Sequence, residues 1–423
     1  MKNLLYIIIA LGFGILFNRC DDSDGERIET LNYKINEPVF MDAKVFRNSV
    51  KVSQTPKGIT GQGKMCFYEG FIYISEPEKG IHIINNKDPQ NPQNIAFIEI
   101  MGNADIAIRD NTLYADSYID MIWFDISSPS DPQLKGRLEN VFLGALPPVE
   151  NEFGYDYTLC EPAKDRIVTG WNLVERSVTM LYNPEDNRNE YLDGSPPTSS
   201  DSKNGVNGSM SRFCVYKDYL YAVMNESHKM DIFDLSGNAP VVKSDSVSLS
   251  WNVETIFNYK EYLYLGTPRG MMIYSVSDPI RPEYQSSLQH VYGCDPVVVE
   301  NDIAYVTIHS GNSCGQNTDE LLVIDVSDVK EPKQIASYAM KNPKGLAVQN
   351  GILYLCDDGL KIYGAENPQE IIANKIAHFT GMDGYDVIPF DNMLMMIAND
   401  GLYQYDCTNI EDITQMSKLP IVK

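Results

Sequence analysis

The sequence predicts an all-β fold in which four-stranded units repeat around a ring, and three observations support this. First, 26 Tyr, 29 Gly and 23 Pro among 423 residues favour many short strands separated by turns over long helices. Second, one phrase recurs about every 41 residues: a short apolar run, a polar residue, then a turn rich in Asp, Asn and Pro. Third, each unit contains about four strand-like runs. Together these features predict a β-propeller.

The repeated phrase occurs seven times, at residues 80–85, 121–125, 230–234, 271–275, 321–325, 359–364 and 401–406. The last positions of successive copies are 40, 109, 41, 50, 39 and 42 residues apart. A period of about 41 residues matches one propeller blade, whereas leucine-rich repeats are shorter and helical repeats need a 3.6-residue apolar period. The sequence therefore favours seven blades.

The wide spacing of 109 residues contains a segment that fits the repeat poorly. Within residues 142–209 only two convincing strands occur, and residues 193–209 are rich in Gly, Pro, Ser and Asn, which is typical of a loop. We interpret 142–209 as an excursion from the second blade, with a degenerate eighth blade as the alternative.

The copy Leu321-Leu322-Val323-Ile324-Asp325 resembles the LVIVD repeat, which is found in exported bacterial β-propeller proteins. The resemblance extends over roughly residues 60 to 421, apart from the excursion. It implies an exported propeller but does not imply any particular biochemical activity. We also expect a strand between Val45 and Val52 to help close the ring.

The N-terminus resembles a bacterial lipoprotein signal. Lys2 precedes an apolar run over 4–17, and Cys20 lies just after that run and is itself followed by an acidic stretch. This predicts a signal peptide at 1–19, lipidation of Cys20 with membrane lipid as its partner, an acidic linker over 20–44 and a propeller over 45–423. The acidic stretch favours the outer membrane and the cell surface. An uncleaved anchor or an ordinary secreted cysteine is the alternative, because Asn18 and Arg19 stand where such signals prefer small residues.

Charge and composition exclude several classes of function. Lys and Arg number 34 against 58 Asp and Glu, a net charge of −24 that becomes −26 if residues 1–19 are removed with Lys2 and Arg19. Such a chain repels phosphate backbones, so we expect no nucleic acid partner. Hydrophobic residues at 43% and charged residues at 22% exclude general disorder and a multi-span membrane protein.

The sequence points to no catalytic residue, cofactor or metal. The five histidines, at 82, 228, 290, 309 and 378, are scattered over different units, and neither a zinc-binding nor a nucleotide-binding motif is present. We therefore predict a binding or scaffold module for an extracellular glycan, peptide or protein. The alternative is an extracellular polysaccharide-processing enzyme, with an axial carboxylate such as Asp295 or Asp386 as its acid, or a sensor subunit.

Charged residues stand at or beside the start of the first strand of every unit: Lys64, Asp105, Arg212, Glu254, Asp295, Lys344 and Asp386. The first strand of a propeller blade is innermost, so these seven residues are expected to surround one mouth of the axial channel. They could form salt bridges that close the channel or a site for a polar ligand or metal.

Seven cysteines remain after Cys20, and most lie in apolar runs that suit a small buried side chain. Cys294 and Cys314 instead flank a hairpin whose polar segment, 310–317, lengthens the repeat spacing. We predict a disulfide between them, with two buried thiols as the alternative. If the disulfide forms, Asp295 and His309 are the best placed candidates for ligand contact.

Overall fold

The computed structural model describes residues 27–160, 165–182, 209, 211–224, 228–243, 246–289, 296–309 and 318–422. It is a seven-bladed β-propeller, as the sequence predicts, with each blade an antiparallel sheet formed by consecutive strands.

The first three blades follow one another along the chain. Blade 1 contains β3 (Lys64–Tyr68), β4 (Phe71–Glu76), β5 (Gly80–Asn85) and β6 (Gln93–Glu99), joined at its outer edge by β2 (Lys51–Ser53). Blade 2 contains β7 (Ile106–Arg109), β8 (Thr112–Ser117), β9 (Asp120–Asp125) and β10 (Gln133–Leu138). Blade 3 contains β12 (Phe213–Tyr216), β13 (Tyr219–Val223) and β14 (Lys229–Asp234), and two short pieces, β15 (Val241–Val242) and β16 (Val247–Ser248), replace its fourth strand.

The remaining four blades have four strands each. Blade 4 contains β17 (Thr255–Tyr259), β18 (Tyr262–Thr267), β19 (Gly270–Ser275) and β20 (Glu283–Gln289). Blade 5 contains β21 (Val297–Glu300), β22 (Ile303–Ile308), β23 (Glu320–Asp325) and β24 (Lys333–Ala339). Blade 6 contains β25 (Leu346–Gln349), β26 (Ile352–Cys356), β27 (Leu360–Gly364) and β28 (Lys375–Phe379). Blade 7 contains β29 (Gly384–Phe390), β30 (Met393–Ala398), β31 (Gly401–Asp406) and β32 (Thr414–Pro420).

The hydrophobic core is divided among the blade interfaces. Seven clusters of buried side chains lie one in each interface, including the interface that brings blade 7 against blade 1. The second and third strands are buried along nearly their whole length, because a sheet inside the ring packs on both faces. Radial stacking therefore buries the apolar runs that define the repeat.

The glycine that begins several third strands is required for a steric reason. Gly80 and Gly270 have φ of 138° and 141°, and a Cβ atom would lie 1.9 Å and 2.1 Å from the backbone oxygens of Ile98 and Leu288. Only glycine combines this backbone conformation with such a close approach to the fourth strand.

The polar residue that ends the third strand starts the following turn. Oδ1 of Asp125, Asp234, Asp325 and Asp406 accepts a hydrogen bond from the backbone N–H two residues later, over 2.8–3.0 Å. An Asx turn of this kind directs the chain from the third strand into the fourth.

The excursion after blade 2 is paired with the N-terminal segment. Strand β1 (Arg27–Asp42), within the predicted linker, pairs antiparallel with β11 (Arg166–Tyr182) to form a two-stranded arm outside the blades. Two short 3₁₀ helices occur at Tyr157–Cys160 and Ile371–Asn374. Within the described ranges no helix is long and apolar enough to span a membrane.

The predicted closing strand between Val45 and Val52 is wrong. Residues Ala43–Arg47 form the helix α1, because Asp42 accepts a hydrogen bond from Val45 N and Phe46 is buried with a ring centroid 5.9 Å from that of Tyr118. Strand β2 then pairs with β6 at the outside of blade 1, away from the junction with blade 7.

Candidate functional site

The seven first strands meet around the axis of the ring, where each contacts its two neighbours. All of them run in the same direction, so their N-terminal ends surround one mouth of the channel. Lys64 begins β3, while Asp105, Arg212 and Glu254 directly precede β7, β12 and β17. Lys344 lies two residues before β25, and Asp386 is the third residue of β29. Asp295 lies outside the described residues.

Lys64 and Asp105 form an ion pair at the centre of this mouth. Lys64 Nζ lies 2.5 Å from Asp105 Oδ2, and the two side chains are 0% and 2% exposed. The same carboxylate oxygen accepts a hydrogen bond from Arg212 N over 2.6 Å, which ties blade 3 to blade 2. Burial lowers the pKa of Lys64 to about 8, although the negative charge of Asp105 raises it.

Asp116, which the sequence analysis missed, orients this pair from the second strand of blade 2. Its Oδ1 accepts hydrogen bonds from Ala104 N, Asp105 N and Asn103 Nδ2 over 2.7–2.9 Å. Burial raises the pKa of Asp116 to about 6. The signal that could have identified Asp116 is its place as a carboxylate inside the otherwise well-buried strand β8. A buried carboxylate needs hydrogen-bond partners.

Ser209, at the end of the excursion, crosses the mouth. Its hydroxyl accepts a hydrogen bond from Leu346 N of blade 6 over 2.8 Å and lies 3.4 Å from Asp386 Oδ1 of blade 7. Three residues later, Arg212 N bonds to Asp105 of blade 2. The chain therefore passes over the axis from one side of the ring to the other.

Asp386 is fully buried beside Ser209, and burial raises its pKa well above the usual range. Its Oδ2 atom has no hydrogen-bond partner among the described residues. A neutral carboxylic acid suits this environment better than a carboxylate.

The six charged residues of this set that the structure describes differ in burial and in partners. Lys344 Nζ lies 2.7 Å from Asp383, which is outside the predicted set, and Glu254 is partly exposed at the rim. Lys64, Asp105, Arg212 and Asp386 are the four that the structure brings together at the axis.

Two further carboxylates, Glu76 and Glu78, lie at and just after the end of β4 in blade 1, on the same face as the mouth. Tyr118 OH donates a hydrogen bond to Glu78, and burial raises the pKa of Glu78 to about 7. In contrast, burial of Glu76 is outweighed by hydrogen bonds from His82, Lys79 and Thr60, which lower its pKa to about 2.

The other candidate residues divide between described and undescribed parts of the chain. Cys20, Cys294 and Cys314 lie outside the described residues. Cys66, Cys160 and Cys356 are buried, and Cys214 and Cys407 are partly buried, as expected for small apolar side chains. In the described part of the chain, no three His, Cys, Asp or Glu side chains lie close enough together to hold a metal ion.

Comparisons with known proteins support the fold alone. No protein-family model and no curated protein matches the chain. A putative 6-phosphogluconolactonase from Bacteroides fragilis is similar in structure, with a TM-score of 0.53 and 10% identity over 86% of this chain and 95% of its own. A protein from Lactobacillus plantarum has a TM-score of 0.50 and 11% identity over 87% of this chain and 97% of its own. The computationally designed protein Ika8 has a TM-score of 0.50 and 8% identity over 87% and 91%.

Proposed function

We propose that the chain is a surface-anchored propeller that acts as a binding or scaffold module for an extracellular glycan, peptide or protein. The observation that carries this proposal is that Ser209 joins blades 6 and 7 at the mouth, where Lys64 and Asp105 form a buried ion pair. Where buried side chains bond to one another in this way, the rim and outer surfaces of a rigid ring are left for recognition.

A binding screen tests this proposal. The protein from Arg27 onward, where the arm begins, is tested against panels of extracellular oligosaccharides and peptides. Saturable binding without conversion of the ligand is expected. Absence of binding to both panels, or turnover of a bound polysaccharide, would contradict the proposal.

The alternative is a polysaccharide-processing enzyme with Asp386 as its acid, although the full burial that raises the pKa of this carboxyl also keeps it from a polymer. Asp386→Asn tests this, because it removes the acid but keeps a side chain of the same shape. If the natural protein forms product and this variant does not, the proposed function becomes the enzyme instead of the binding module.

Anchoring through Cys20 is the second part of the proposal. It is supported by the apolar run before Cys20 and the acidic stretch after it. Palmitate labelling and membrane association are expected in the full chain and lost in Cys20→Ser. Labelling that persists in this variant would contradict lipidation at Cys20.

A further inference from the structure

A cleft of about 430 Å³ lies between blades 4 and 5, at the turn end of the strands and therefore on the face opposite the mouth. Its lining consists of Tyr259, Lys260, Tyr262, Tyr264, Asp302 and the turn from Val326 to Lys330. The volume is within the range of sites that hold small organic ligands.

Three tyrosines give the cleft its floor and walls. Tyr264 is 1% exposed and forms the floor, while Tyr259 and Tyr262 are half-buried. Tyr259 OH accepts a hydrogen bond from Asp302 N over 3.3 Å, which fixes the ring between the two blades. The cleft is therefore built from positioned aromatic rings.

An ion pair bridges the two blades at the rim. Lys260 Nζ lies 2.5 Å from Asp302 Oδ1, with side chains 54% and 40% exposed, and 4.9 Å from the centre of the Tyr259 ring. Asp328 and Lys330 add one further charge of each sign. The four charges cancel, although the whole chain has a net charge of −24.

The neighbouring interface shows how this cleft differs. Between blades 3 and 4, Tyr221 OH donates to the carbonyl of Pro279 over 2.8 Å, which ties its ring to the turn of the next blade. In blade 5 the equivalent carbonyl is that of Val329, and it accepts from Ser286 Oγ over 2.5 Å instead. Tyr264, the counterpart of Tyr221, lines the cleft.

We propose that this cleft binds a neutral sugar ring of a glycan, an inference that rests on the proposed function as a binding module. The partly exposed rings of Tyr259 and Tyr262 offer apolar surface for the C–H face of a sugar, and tyrosine hydroxyl groups hydrogen-bond at the edge. The Lys260–Asp302 pair supplies a donor and an acceptor for sugar hydroxyls, and its balanced charge suits an uncharged polar ligand better than a charged peptide or an anionic polymer.

The test uses the protein from Arg27 onward and neutral tetrasaccharides of glucan, mannan, xylan and galactan, with uncharged peptides of similar size as a second panel. Binding is measured by titration calorimetry. Tyr262→Ala is expected to weaken binding of the preferred tetrasaccharide at least tenfold, because it removes one wall of the cleft. Asp302→Ala, at a partly exposed turn position with a φ of 62°, is expected to weaken it at least fivefold, and thermal unfolding shows whether this variant keeps the fold.

Tyr219→Ala is the matched control, because Tyr219 occupies the position of Tyr262 in blade 3. It is expected to bind like the natural protein. Equal weakening by both tyrosine variants, no binding of any tetrasaccharide at millimolar concentration, or binding of peptides alone would overturn the proposal. Glycan binding that is unaffected by Tyr262→Ala and Asp302→Ala would overturn this site while leaving the binding module in place.

Discussion

Lys64 is a fully buried lysine whose charge is balanced mainly by one residue, Asp105, over 2.5 Å. Lys64→Met should cost about 3 kcal/mol of unfolding free energy, because it leaves the Asp105 carboxylate buried without its cation. Adding Asp105→Asn, which keeps an acceptor for Arg212 N, should recover part of the loss. Urea unfolding of both single variants and the double variant measures the coupling. Strictly additive losses would show that the pair contributes no mutual stabilisation.

Asp116 makes stability depend on pH at the same site. Its pKa rises from 3.8 to about 6 in the folded protein, so the folded state binds more protons than the unfolded state between these values. Stability contributed by this group is therefore complete below pH 3.8 and is lost as the pH rises to about 6. The full change is on the order of 3 kcal/mol.

Asp116→Asn keeps the acceptor for Ala104 N and Asp105 N but cannot ionise, so the fall in stability over this pH range should become smaller. Thermal midpoints measured from pH 4 to pH 6.5 test this. Glu78 remains in both proteins and contributes in the same direction, with a pKa of about 7, so the comparison isolates Asp116. Parallel pH profiles for the two proteins would exclude the assigned role.

At the scale of the element, the acidic residue that ends the third strand stabilises the turn after it. Asp325 accepts a hydrogen bond from Ser327 N over 2.9 Å, whereas blade 4 has Ser275 at this position, with a longer contact of 3.4 Å to Ser277 N. Asp325→Ala should cost about 1 kcal/mol, and Ser275→Ala should cost less. Urea unfolding of both variants provides the comparison, and equal losses would contradict the capping role.

The strands of the blades could be predicted from sequence because their signals are local. The phrase ending at Asp325 combines a strand with the turn that terminates it, and the charged residue before β7 marks the start of an inner strand. Each of these features involves residues that are neighbours along the chain. Because a blade is buried on both faces, its inner strands keep a continuous apolar run in the sequence.

The arm and the site partners could not be predicted because their contacts join distant segments. Leu31 lies opposite Val178 in the arm, and Ser209 meets Leu346 across the axis. Lys344 lies two residues before the first strand of blade 6, and it pairs with Asp383. A repeat pattern indicates where a blade begins but contains no information on which long side chains meet.

At the scale of the whole molecule, the ring closes without a shared strand, because every blade is formed by consecutive strands. Blades 7 and 1 are held by a cluster of buried apolar side chains that includes Ile59 and Ile421. Val422 N also donates a hydrogen bond to the carbonyl of Ile59 over 2.7 Å. The ring is therefore closed between blades 7 and 1 by buried side chains and by the hydrogen bond from Val422 to Ile59, instead of by a shared strand.

A pair of buried amides adds a specific link at this junction. Asn86 Nδ2 donates to Gln404 Oε1 over 2.8 Å, and Gln404 Nε2 donates back to Asn86 Oδ1 over 2.7 Å. Gln404→Leu or Asn86→Leu alone leaves a buried amide without its partner and should cost about 2 kcal/mol. The double variant removes both polar groups, so its loss should be clearly smaller than the sum of the single losses. Urea unfolding at constant pH measures the four free energies, and an additive double variant would show that the reciprocal pair does not hold the ring closed.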